Sequence, residues 1–200
     1  MKTIEQKGLD IFYTTLSTIA YIPKDEWEKI LPKIKHLHLN KDEYFVRAGS
    51  IPDKMAFIIS GIFRLFYITE TGDEKILVFR EEGRMIAAFS SFLENKLSWF
   101  NIQALEDADL LYFDLVGLAD YKNFLNSNQC WQTLSARYTE MLFVEKEKRE
   151  GEFLSDDAET RYKKFMIKYP NIEKRIHQYH IASYLGISPI TLSRLRKKLK

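Results

Sequence analysis

The sequence predicts an α+β protein in three parts. An antiparallel β-roll of the jelly-roll kind, with flanking helices, is expected over 1–128, a long helix and hinge over 129–153, and a helix-turn-helix domain over 154–200. Three observations carry this reading. Short β-rich runs punctuated by turn residues fill 35–114, one uninterrupted helical pattern occupies 129–150, and the chain ends in QYHIASYLGISPITLSRLRKKLK.

At the N-terminus, Ile4, Leu9, Ile11, Phe12, Leu16 and Ile19 fall at approximately helical spacing. A shorter helix follows between Pro23 and Pro32 with Trp27 and Ile30 facing inward. The runs 36–39, 44–46, 55–60, 62–69, 75–79, 99–105 and 110–113 read as strands of a roll of about eight. In 62–69 both faces are largely apolar, so one lines the roll and the other packs on helices.

Trp131, Leu134, Tyr138 and Met141 recur at intervals of three and four before the pattern dissolves into charges. This helix is expected to pair with a second copy of the chain, with the hinge at Phe153 and Leu154. Ser155, Asp156 and Asp157 then open a helix that Pro170 stops.

The final stretch reads as two short helices and a tight turn. Ala182 is small where the helices cross, and Gly186 can take the positive φ that ends the first. Ser188 caps the second helix, and Pro189 fits its first turn. With Leu192 and Leu195 turned inward, Ser188, Pro189, Ile190, Thr191, Ser193, Arg194, Lys197 and Lys198 form an outward, basic face that suits a DNA major groove. Residues 161–200 hold eleven Lys and Arg against Glu173 alone, a charge of +10, while the whole chain is only +2. A near-neutral total thus hides a basic module on an acidic body, and Arg196, Lys197, Lys198 and Lys200 are expected to attract the phosphate backbone.

Composition excludes several classes. Cys130 is the only cysteine, so disulfide frameworks, thiolate zinc sites and a four-cysteine cluster are excluded within one chain. His36 and His38, followed by Glu43, resemble the first half of the cupin metal motif. The remaining histidines, His177 and His180, lie in the basic module, so no metal ligands are assigned. No paired carboxylates, nucleophile–base pair or phosphate loop stands at usable spacing, and no catalytic residue is expected. No apolar run approaches a membrane span and the first residues lack a signal-peptide core, which makes the expected location cytoplasmic.

The order of parts resembles the Crp/Fnr family of bacterial transcription regulators, named for the cyclic-AMP receptor and the fumarate–nitrate regulator. The motifs are Phe57-Ile58-Ile59-Ser60-Gly61, Ala104-Leu105-Glu106 leading into Leu110, and Ile181-Ala182-x-x-Leu185-Gly186-Ile187-Ser188 with Thr191-Leu192-Ser193-Arg194. The resemblance implies a cyclic-nucleotide-binding-domain-like roll, a dimerisation helix and a winged-helix-like DNA-binding domain. The implied partners are double-stranded DNA, a second copy and RNA polymerase. It places Arg194 in the groove, where its fork reaches guanine O6 and N7.

Two departures matter. The recognition helix has Pro189 and Ile190 where well-known members have Arg and Glu. In the implied ligand pocket, marked here by Arg84, Ala87, Ala88, Ser98 and Trp99, the family's Gly-Glu pair is Ala87-Ala88, and its phosphate-binding Arg falls within Leu97-Ser98-Trp99-Phe100. The expectation is a regulator that does not bind cyclic AMP in the usual way, with no assigned cofactor and room for an unidentified small-molecule effector. The rival reading is a non-catalytic ligand-binding or interaction module whose basic tail meets RNA or an acidic partner.

Overall fold

A computed structural model describes residues 3–115 and 117–199, which fold as two compact units: 3–65 with 79–115 and 117–141, and 66–78 with 142–199. In the first unit, helix α1 (Ile4–Ile19) starts at a capping box in which Thr3 and Gln6 bond reciprocally, satisfying two N-terminal amides. Helix α2 is Lys24–Ile30, and Pro32 falls in a 3-10 turn, Leu31–Lys33, that follows it. Phe12, Leu16, Ile22, Phe57, Leu111 and Trp131 form a buried cluster, in which Phe12 stacks on Phe57 at 4.6 Å. Each such side chain contributes roughly 1.5–3 kcal/mol by leaving water. The Trp131 indole N–H, buried with them, donates to Glu26 at 3.0 Å, so its polar edge costs little. Burial pushes the neighbouring Cys130 thiol up, away from a reactive thiolate.

Eight strands follow: β1 (Lys35–Leu39), β2 (Tyr44–Val46), β3 (Lys54–Ser60), β4 (Phe63–Ile68), β5 (Glu74–Arg80), β6 (Met85–Ile86), β7 (Asn101–Ala104) and β8 (Ala108–Asp114). They form two sheets, β1-β8-β3-β6 and β2-β7-β4-β5. β1 pairs with β8, β2 with β7, β3 with β6 and β4 with β5, which is the nested pairing of a jelly roll. Gly61 sits at φ +103° after β3, where a Cβ would come 2.5 Å from Ala108, so only glycine fits. As expected for β4, both faces are buried from Phe63 to Phe66.

The expected strand over 99–105 is shorter, and Trp99 lies outside it. Strand β6, helix α3 (Phe89–Leu93) and helix α4 (Leu118–Asn126) were not expected. Helix α5 (Gln129–Ser155) corrects the hinge: it runs unbroken through Gly151, so Phe153 and Leu154 are helical, and the break falls at Asp156-Asp157.

The second unit contains the 66–78 hairpin, the end of α5, α6 (Ala158–Lys168), α7 (Gln178–Leu185) and α8 (Pro189–Lys198). Its core is aromatic. Phe165, Tyr169 and Tyr184 meet with ring centres 5.3 to 5.8 Å apart, and Ile172, Ile181, Leu185 and Leu192 are fully buried beside them. Leu195 is half-buried and Leu199 exposed, so the expected inward stripe weakens toward the chain's end.

Candidate nucleic-acid interface

The interface is built from the turn outward. α7 ends at Gly186, φ +67°, with Gly186 N–H donating to Ser183 O and Ile187 N–H reaching back to Ala182 O. This pairing satisfies the last carbonyls of α7 and turns the chain sharply. Ser188 then caps α8: its hydroxyl accepts from the Thr191 amide at 3.1 Å and meets the Thr191 hydroxyl at 2.9 Å. Pro189 occupies the first turn, and Arg196, Lys197 and Lys198 fill the last, where cations complement the helix dipole.

The two carbonyls behind the turn are taken by arginines. Arg149 of α5 donates to Tyr184 O, and Arg161 of α6 donates to Leu185 O at 3.2 Å. Phe153 lies between them, with the Arg149 guanidinium 4.3 Å and the Arg161 guanidinium 5.0 Å from its ring centre. A Cβ on Gly186 would come 2.8 Å from that ring, so the glycine also lets Phe153 seat on the turn. Sequence reasoning missed this clamp, because arginines 24 and 35 residues from their acceptors leave no local signal.

Of the expected contact residues, Ser188, Pro189, Ile190, Ser193, Arg194 and Lys197 are exposed, and Thr191 is half-buried over the cap. Arg194 makes no ion pair among the described residues. Lys198 is exposed but bonds Glu159 at 2.5 Å, which raises its pKa. Arg196, expected to attract the phosphate backbone, is instead three-quarters buried and paired with Glu173 at 2.9 Å, and Tyr162 bonds the same carboxylate. It is therefore a structural cation. Lys200 lies outside the described residues.

The expected ligand-pocket residues differ in exposure: Arg84 is exposed and Ala87 half-buried. Ala88 has no accessible surface and Ser98 is 2% exposed, so neither borders a space that water enters. The Ser98 hydroxyl is spent on Phe100 O at 2.8 Å. Trp99 is 63% exposed. Arg84 lines a groove of about 210 Å³ with Thr15, Ile19, Phe57, Tyr138 and Met141, which contains none of the other four. Phe89 and Phe92 of α3 pack edge-on against Tyr121 of α4 at 5.7 and 5.6 Å. Inside the roll Arg64 is buried and donates to Gln103 at 2.8 Å, while Ser91 Oγ and Asn101 Nδ2 are buried without a partner among the described residues. His36 and His38 both bond one oxygen of Asp109, at 3.0 and 3.1 Å, and no metal-holding cluster occurs among the described residues.

Residues 36–123 match the model of the cyclic nucleotide-binding domain. Comparison with curated proteins finds no sequence relative. Among solved structures, the chain is similar to the c-di-GMP responsive global regulator CLP of Xanthomonas campestris, with 14% identity, a TM-score of 0.69, and coverage of 88% of this chain and 91% of that one. It is also similar to a Crp/Fnr-family regulator of Eubacterium rectale, with 16% identity, TM-score 0.68 and coverage of 88% and 83%. FixK2 of Bradyrhizobium japonicum gives 17%, 0.64, 83% and 84%. No helix among the described residues is long and apolar enough to cross a membrane. Residues 36–123 thus match a cyclic nucleotide-binding domain, and the chain has the fold seen in these Crp/Fnr-type structures.

Proposed function

We propose that the protein is a homodimeric, sequence-specific DNA-binding transcription regulator that acts in the cytoplasm and works with RNA polymerase. The observation that carries the reading is the outward face of α8, where a capped N-terminus and the exposed Arg194 and Lys197 stand clear of the module's own ion pairs. Arg194 supplies base readout, Ile190 can pack on a thymine methyl, Ser188 and Thr191 set the helix start, Ser193 flanks Arg194, and Lys197 with Lys198 attracts phosphate. The module extends over 154–200 and the roll with its helices over 1–128. Between them α5 exposes Met141 and Val144, three residues apart on one face, together with Phe143. A second copy that covered them would give two recognition helices for two half-sites.

The effector is not cyclic AMP bound in the family's usual way. Ala88 and Ser98 supply neither the carboxylate for a ribose nor the cation for a phosphate, and both are closed off by packing. A smaller or more apolar effector of the roll is compatible with this, and the alternative of an RNA or acidic-protein partner has no specific observation in its favour. Selection from random duplexes with the full chain tests the reading. Enrichment of two related half-sites about one helical turn apart supports it, and enrichment of nothing overturns it.

A further inference from the structure

Strand β5 ends its sheet, so among the described residues the outer edge of its backbone has no strand partner. Two groups on that edge are taken by a single side chain of α7: the Ser183 hydroxyl accepts from the Ile76 amide at 3.1 Å and donates to the Glu74 carbonyl at 2.7 Å. Serine is a poorer helix former than alanine, and here its hydroxyl makes a contact across more than a hundred residues of sequence. Beside it lies an open cleft of about 590 Å³, with Asp73, Glu74 and Lys75 on the hairpin side and Ile187, Ser188 and Pro189 at the start of α8 on the other. The hairpin 66–78 and the helices therefore form one compact unit.

We propose that this hairpin is an autoinhibitory latch on the helix-turn-helix, closed by Ser183. The proposal rests on the DNA-binding reading above. A recognition helix enters the major groove N-terminal end first, and phosphates flank that end closely. With the latch shut, the hairpin with its acidic Asp73 and Glu74 lines the cleft opposite Ser188 and Pro189, where an approaching phosphate backbone meets bulk and like charge. Lys75 offsets part of that charge by pairing with Asp73 at 3.6 Å. Opening the two Ser183 hydrogen bonds frees the start of α8.

The test uses the full chain, S183A, the double variant D73N/E74Q and R194A. Each is titrated by fluorescence anisotropy with the duplex enriched from the random pool, and hydrogen exchange of the peptide containing Ile76 is followed without DNA. Opening the latch speeds exchange of that peptide in S183A and tightens duplex binding at least threefold. D73N/E74Q tightens binding with the hydroxyl intact, and it decides the matter if S183A does not fold. Unchanged or weaker binding in S183A overturns the latch, as does unchanged exchange. Binding that is lost in R194A but unaltered in S183A removes the latch and leaves the DNA reading standing. No binding by any form, with exchange still faster in S183A, sinks the DNA reading and the inhibitory role with it.

Discussion

The guanidinium of Arg149 lies 3.7 Å from the centre of the Tyr184 ring and donates to that residue's own carbonyl, so one side chain of the long helix holds both the face and the backbone of α7. A charged hydrogen bond of about 1.5–3 kcal/mol and a ring contact of about 0.5–2 kcal/mol meet in this residue. Arg149→Ala should lower the opening free energy of α7 by about 2 kcal/mol, seen as roughly thirty-fold faster amide exchange over 178–185. Arg149→Lys should recover only part, because an ammonium lacks the planar fork.

Gly186→Ala should be more damaging. The φ of +67° costs an L side chain about 1–2 kcal/mol, and the new Cβ would stand 2.8 Å from Phe153. Thermal unfolding should show a loss above 2 kcal/mol. In a double-mutant cycle, Phe153→Ala should relieve the steric part and leave the backbone part.

How much of this was legible in the sequence differs from part to part. The α7–α8 turn was readable because Gly186, Ser188 and Pro189 each serve a local need of the backbone, and the structure uses all three as their chemistry suggests. The roll was readable from strand spacing, though not β6 with its two residues or α4, a nine-residue helix none of whose residues is buried. The hinge was misplaced because α5 runs past Phe153 and Leu154 to Ser155, and Asp157 then caps the next helix. Arg196 and Lys198 read as free cations because Glu173 and Glu159 approach them only in three dimensions. The Ser183 contact has no sequence signal at all.

Acid should loosen the C-terminal helical module. The Thr160 amide bonded to Asp157, and Lys163 and Lys198 bonded to Glu159, hold both carboxyls below their usual range. Their stabilisation is present above the ordinary carboxylate pKa of about 4 and is lost as pH falls through the lowered values. Melting temperature should therefore drop between about pH 5 and pH 2, and Asp157→Asn, which keeps the cap acceptor, should flatten that drop.

Calorimetric titration with cyclic AMP should show no micromolar binding. Restoring a carboxylate by Ala88→Glu should not create it, because Ala88 has no accessible surface and the new group would be crushed and unpaired. A fall in melting temperature is expected instead. Micromolar affinity in either protein would contradict the proposal that cyclic AMP is not bound in the usual way.

The most direct measurement compares Arg194→Ala with Lys197→Ala on the enriched duplex and on a scrambled one, across a salt series. Arg194→Ala should lose about ten-fold or more on the enriched duplex and little on the scrambled one, since a base-reading fork is worth about 1–3 kcal/mol. Lys197→Ala should weaken both alike and reduce the salt slope by about one. If Arg194→Ala weakens both duplexes equally, or neither, then α8 does not read bases through this residue, and the account of the protein as a sequence-specific regulator fails.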